Sequence, residues 1–316
     1  MSTLTEKDIS SALRGEAEAL EAQLELIEKG ASLTGCAVKV SCHCLKVDAN
    51  GKVQPARLAQ FMRNAVIDYA IPRSTLAAAK ARDVKYNTTE SVTALFERAK
   101  RSFTDLEKTG EGGEMLLFLL AERFLKLPQI LCKMDLKTSP QMHYHGADGV
   151  HAGLTPEGTL KLYWSESKVY QDASTAIRDC LASLGPYLIE PDAEDSKRAR
   201  DLTLLSDNAD LNDEAVNGAL RQYFDSQSLS SMRVQYCGLA LVGFDASFYP
   251  TATAKTWDTD LGKACIDELK SWKAQIRNRL VEEKLDQIEI VFLCIPLPSV
   301  ADFRAAFLKA MGLEDK

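Results

Sequence analysis

Glu166-Ser167-Lys168 puts two charges where an apolar strand should be. The run from Leu160 to Tyr170 is otherwise built on Leu160, Leu162, Tyr163, Trp164, Val169 and Tyr170, too apolar for a casually solvated face. Strand alternation sets Glu166 and Lys168 side by side on one face. Asp148 precedes them in Gly146-Ala147-Asp148-Gly149, where the glycines let the backbone bend at a strand edge. Upstream, Glu114, with Glu111 one turn earlier, opens a helix that would pack on this sheet. Carboxylates converging on one point repel unless a cation joins them, and Mg²⁺ accepts such oxygen ligands while keeping several waters. A neighbouring lysine would hold or help deprotonate an attacking water, or stabilise charge on phosphorus in the transition state. A structural Glu–Lys ion pair is the competing account of the same residues.

The elements that must position these groups follow from hydrophobic period and turn signals. Residues 5–29 read as an amphipathic helix on Ile9, Leu13, Leu20, Leu24 and Ile27. Residues 37–47 alternate as a half-buried strand and end in the turn Asp48-Ala-Asn-Gly51. Helices are predicted over 54–70, 90–108 and 113–127, the last stopped by Pro128. Strands follow at 129–136, near Val150 and at 160–170, then a helix over 172–184 ended by Gly185-Pro186. The polar, acid-rich stretch 188–230 reads as an insertion carrying short helices. Strands at 232–243 and 288–295 bracket the last long helix, and an amphipathic helix covers 300–311. This order predicts an α/β fold with a mixed sheet. Its expected division is an N-terminal α+β accessory or partner-contact region over 1–104 and a catalytic domain over 105–316. That domain would comprise a core at 110–185, the insertion, and C-terminal strands and helices over 231–312.

A helix bearing Glu, a strand, Asp at the edge of the second strand, E-x-K on the third and a following helix resembles the PD-(D/E)XK (restriction-endonuclease-like) nuclease core. More narrowly, Gly110-Glu-Gly-Gly-Glu-Met-Leu-Leu117, His145-Gly-Ala-Asp-Gly-Val-His151 and Ser165-Glu-Ser-Lys-Val-Tyr170 resemble the HamA family, the nuclease subunits of bacterial Hachiman anti-phage defence. The segment Phe292-Leu-Cys-Ile-Pro-Leu-Pro298 is similar to that family's C-terminal end, while the first 100 residues match less specifically. The resemblance implies that Asp148 and Glu166 are metal ligands, that Lys168 is the catalytic lysine, and that Glu114, ahead of Glu111, is the helix acid. It implies a Mg²⁺-dependent deoxyribonuclease, with Mn²⁺ as an alternative ion, restrained by a HamB-like helicase partner. Ala147 stands where the generic motif has Pro, which bears on local backbone geometry more than on chemistry. A catalytically silent nuclease-fold scaffold and an RNase are the alternative readings. No G-x-x-x-x-G-K-[ST] occurs, since Gly51-Lys52 and Gly262-Lys263 lack the rest of the motif, so an ATP-driven step would come from another polypeptide.

Other signals point less far. His143, His145 and His151 surround Asp148, but their spacing matches no strong zinc signature. Alternation puts Cys42 and Cys44 with Val38 and Val40 in the core and turns His43 away, and Cys180 has no His partner in sequence. Tyr163, Trp164 and Tyr170 suit core packing better than base stacking, and Gln171 is explained by its place before a helix.

Composition bounds the rest. The 316 residues carry 38 Lys+Arg and 45 Asp+Glu, 46% hydrophobic and 26% charged residues, which excludes disorder, collagen and coiled coil. The net charge of −7 argues against a simple DNA-coating protein. Charge is uneven, however: residues 1–110 hold 16 basic and 14 acidic groups, 111–188 hold 7 and 9, and 189–316 hold 15 and 22. Arg73, Lys80, Arg82, Lys85, Arg98, Lys100, Arg101 and Lys108 form a basic stretch that offers a DNA path, or an ordinary solvated face. Acids such as Asp207, Asp210, Asp213 and Glu214 would keep DNA away until a partner intervenes. A cytoplasmic location is expected, because no signal peptide is evident, the longest tight apolar run is Met115–Ala121, and the eight cysteines are scattered.

Overall fold

The computed structural model describes residues 4–103, 110–136, 146–189, 196–250 and 260–313. The chain opens with α1 (Glu6–Ser11) and α2 (Ala17–Glu21), then pairs β1 (Leu24–Ser32) with β2 (Val38–Leu45). Four helices follow: α3 (Pro55–Asn64), α4 (Val66–Ala70), α5 (Arg73–Tyr86) and α6 (Glu90–Arg101). The helix α7 (Glu111–Leu119) runs on into a π turn (Leu120–Leu125) and is followed by the single turn α8 (Lys133–Leu136). The hairpin of β3 (Gly149–Leu154) and β4 (Leu160–Val169) leads into α9 (Ala173–Leu188), α10 (Lys197–Asn208) and α11 (Glu214–Arg221). A 3₁₀ turn, β5 (Val234–Asp245), α12 (Leu261–Glu282), β6 (Ile290–Leu297) and α13 (Val300–Met311) complete it.

The six strands among the described residues form one mixed sheet, ordered β1-β2-β6-β5-β4-β3. The four inner strands are parallel neighbours, and β1 and β3 are antiparallel edges. Parallel pairs need long crossovers, here α9–α11 between β4 and β5 and α12 between β5 and β6. Helices cover both faces, so the central strands are continuously apolar: Leu239–Val242 and Phe292–Ile295 are fully buried. Strand β2 pairs with β6, so the sheet crosses the 104/105 division expected from sequence, and that division falls in a stretch outside the described residues.

Three sequence expectations are corrected. The single helix over 5–29 is two short helices and an edge strand. Gly15 breaks it with φ of +76°, a conformation that seats its backbone against the Arg123 guanidinium, and the Leu24/Ile27 spacing serves the partly exposed strand β1. Residues 129–136 are not a strand: only Gln129 bridges to His151, and Lys133 opens α8. Gly185-Pro186 does not end its helix: α9 continues to Leu188 with Pro186 in its last turn, which forfeits the one ladder bond that position 186 would donate, while Ile189 N still donates to Gly185 O.

Two helices grip β4 from opposite sides. Trp164 stacks on Tyr187 of α9 at 5.4 Å, so alternation turns Glu166 and Lys168 toward the α9 face. On the other face a Cβ at Gly113 would lie 2.8 Å from Val169 and 3.2 Å from the Ser167 hydroxyl, so α7 sits at backbone distance from β4. Gly113→Ala should therefore lower stability by about 1–3 kcal/mol, less the roughly 1 kcal/mol gained in helix propensity. Denaturant titration reads this, and an unchanged midpoint would mean that α7 is free to shift.

Candidate active site

The ladder between β3 and β4 ends at Gly149↔Ser165, and Asp148 takes over where it stops. The Asp148 amide donates to Ser165 O at 2.8 Å, and its Oδ2 accepts from the Ser167 amide at 2.7 Å and hydroxyl at 2.9 Å. A carboxylate thus replaces the next pair of the sheet and is fixed at its edge. Ala147, in place of Pro, keeps an amide that donates to Oδ2 of the buried Asp201 at 3.3 Å.

Glu166 is only 6% exposed, and Lys168 Nζ lies 2.5 Å from its Oε1. Burial first, and the charge of Asp148 second, push the Glu166 carboxyl up to about 7 against the pull of Lys168. Burial alone would lower Lys168, but the Glu166 and Asp148 carboxylates outweigh it and hold the amine above its ordinary range. Lys168 is therefore a fixed cation near neutrality, fit to orient oxygens and stabilise charge and unfit to act as a base. Cys180 of α9 donates to Glu166 O at 3.4 Å; burial, then Glu166, raises its thiol well above the usual range, so it remains protonated.

The Glu166 shift carries a pH signature. Its folded value near 7 exceeds the ordinary 4.5, so the folded state keeps a proton that the unfolded chain has released. That contribution is full below about pH 4.5 and is lost as pH rises through 7. In chelator, the melting temperature of the wild type minus that of Glu166→Gln should fall across this window and level off above it; a flat difference would contradict the shift.

Glu114 Oε2 accepts from the Tyr69 hydroxyl of α4 at 3.1 Å. Burial, then Glu114, Glu111 and Asp148, raise that phenol well above its ordinary value, which sets the three acids around one buried ring. Glu111 is 2% exposed, whereas Glu114 is partly open to solvent.

Sequence reasoning missed Lys133 and Asp201. Lys133 is 8% exposed with Nζ 3.9 Å from Asp201 Oδ2. Burial lowers its amine on balance, against the opposing pull of Asp201, Asp148, Glu114 and Glu166, so a second amine faces the acids. Its signal was visible: a lysine inside the apolar run Ile130-Leu-Cys-Lys-Met134 needs a reason as much as Glu166 does. Asp201 had none, because only folding brings α10 against Ala147.

The histidines separate. His151 is buried in β3, and burial drops its imidazole to about 3, so it is neutral. Neither of its ring nitrogens has a hydrogen-bond partner among the described residues. His143 and His145 lie outside the described residues.

Among the described residues no group of three His, Cys, Asp or Glu side chains could hold a metal by itself. A hard divalent ion does not need one: Mg²⁺ commonly takes one or two carboxylates and completes its shell with water and phosphate. Asp148 and Glu166 fit that role. Each keeps one oxygen, Oδ1 and Oε2, without a hydrogen bond among the described residues, and their mutual repulsion is what a cation would relieve.

A family model described as HamA matches residues 21–311, all but the ends of the chain. The chain belongs to the HamA family. The match takes in the N-terminal strands that the motifs left least specified as well as every residue of the acid cluster. Membership of the HamA family points to a role in anti-phage defence. No curated protein matches the chain. Among the described residues no helix is long and apolar enough to cross a membrane.

Proposed function

We propose that the chain is the nuclease effector of a Hachiman-type defence system, hydrolysing DNA phosphodiester bonds with Mg²⁺ or Mn²⁺ on a PD-(D/E)XK-type core and restrained by a helicase partner. The observation that carries this is the meeting of Asp148, Glu166 and Lys168 at the end of the β3–β4 ladder, with the Glu166 carboxyl raised to about 7 by burial and by Asp148. A carboxyl raised by burial and by a neighbouring acid, beside a cation, marks a candidate functional site.

Asp148 and Glu166 would hold the ion, with Glu114 supporting it through water. When bound, the ion would polarise the phosphate and acidify a water. Ser167 fixes the Asp148 carboxylate in the sheet, so that oxygen is preorganised. Lys168, tethered by Glu166, presents an ammonium to the oxygens that gain charge as the phosphorus is attacked. Lys133 faces the same acids from the side of α8.

DNA would approach over the exposed cations of α5 and α6, namely Lys80, Arg82, Lys85, Arg98 and Arg101. Arg73 drops out of the path expected from sequence: it is buried and bound to Glu122. Nor are the acids of 207–214 simple repellents, since Asp210 accepts from the Ser74 amide and hydroxyl and Asp213 caps α11. The missing P-loop motif supports a separate helicase as the source of any ATP-driven step.

Calorimetry with Mn²⁺ on the full chain tests the site. One bound ion is expected, lost in Asp148→Asn and in Glu166→Gln. No uptake by the wild type, with partner assembly intact, would favour the silent scaffold.

A further inference from the structure

A cavity of about 440 Å³ opens between α2, β1, β2 and the π turn, and none of Glu114, Asp148, Glu166 and Lys168 lines it. Its wall carries Lys29, Lys46, Arg123 and Lys126 against only Glu21 and Glu25. None of the four cations has an ion pair among the described residues.

Arg123 is the unusual member. Only 7% of it is exposed, and its Nε has no hydrogen-bond partner among the described residues. Buried arginines are ordinarily paired with an acid; this guanidinium lies over the Phe61 ring at 4.8 Å, and Asp68, Glu122 and Glu16 act on its charge from outside the cavity wall. Burial lowers its pKa, yet arginine remains charged. His43, 3% exposed, also lines the cavity and leaves Nδ1 without a partner. Burial drops its imidazole to about 4, so it is neutral and able to donate or accept. The half-buried Phe124 meets His43 edge-on at 4.6 Å, and Leu26, 40% exposed, extends the apolar side. Arg123 and Phe124 sit on a π turn, a distortion frequent at functional positions.

A cationic half beside an aromatic half suits a flat ring bearing a phosphate, and the volume lies within the roughly 300–1,000 Å³ usual for small-ligand sites. We propose that this cavity binds a nucleoside phosphate, with Arg123 and the lysines on the phosphate and Phe124 beside the base. The proposal does not depend on the nuclease reading. The same chemistry is offered by a free nucleotide and by the 5′-phosphorylated end of a strand.

Calorimetry on the full chain, with adenosine 5′-monophosphate, adenosine, inorganic phosphate and a 5′-phosphorylated tetranucleotide, tests it. The monophosphate should bind, and adenosine and phosphate should each bind at least about tenfold more weakly. Arg123→Gln, and separately the surface double variant Lys46→Ala/Lys126→Ala, should weaken the monophosphate about tenfold. The double variant keeps the test valid if the buried substitution does not fold. Tetranucleotide binding as tight as the monophosphate identifies a strand end as the source, and weaker binding identifies a free nucleotide. No uptake of the monophosphate at millimolar concentration, phosphate binding equally well, or the double variant binding unchanged would overturn the proposal.

Discussion

Glu166→Gln is expected to fold normally and to cleave DNA at least about 10³-fold more slowly than the wild type, because it removes the charge proposed to hold the metal and the tether of Lys168 together. The isosteric amide leaves the strand packing intact and relieves the repulsion with Asp148, so stability near neutral pH should rise. Loss of activity with gain of stability is the combination that distinguishes a functional acid from a structural one. Lys168→Ala should cost about 10²–10³-fold, in turnover more than in metal affinity, since its ammonium acts on developing charge. Single-turnover cleavage with a melting curve on the same samples reads both. Cleavage by Glu166→Gln within a few-fold of wild type would place the chemistry elsewhere.

The largest loss of stability is expected at Glu122. Its side chain is wholly buried in the π turn and accepts from Arg73 at 2.5 Å, the Gln129 amide at 2.9 Å and the Arg14 amide at 3.0 Å. One carboxylate thus joins the N-terminal turn, α5 and the bridge residue that precedes α8. Removing one partner of a buried pair strands the other charge, so Glu122→Ala should cost about 3–5 kcal/mol in a denaturant titration. The double variant Arg73→Met/Glu122→Leu should recover much of that loss, because the Arg73–Glu122 pair is then removed whole and Arg73 is not left stranded. A double variant no better than the single one would mean that the hydrogen bonds to Gln129 and Arg14 carry the effect.

What could be read in the sequence, and what could not, follows from the reach of each interaction. The mixed sheet was legible because strands buried on both faces, such as Leu239–Val242, leave long apolar runs bounded by turns. Glu166 and Lys168 were legible because charges in such a strand need a reason. The strand β1 was not, because an edge strand exposed on one side carries a weak pattern, and Leu24 and Ile27 also suit a helix. Pro186 misled because the buried packing of Leu184, Tyr187 and Leu188 holds the last turn of α9 despite the one ladder bond that proline removes. Asp201 was unreadable for a different reason: its partners, Lys133 and the Ala147 amide, lie more than 50 residues away, and local pattern does not encode such pairs. The net charge of −7 likewise hides local structural roles, since Asp210 anchors the start of α5 and Asp213 caps α11.

The most direct measurement is cleavage of linear DNA by the purified chain, alone and with the proposed helicase partner, in Mg²⁺ and in EDTA, with an RNA of the same sequence in parallel. Metal-dependent loss of the DNA, abolished by Glu166→Gln and by EDTA, is the predicted result. DNA left intact by chain and complex alike, or cleavage that persists in EDTA or in Glu166→Gln, would contradict it, and degradation of the RNA alone would replace the proposed substrate.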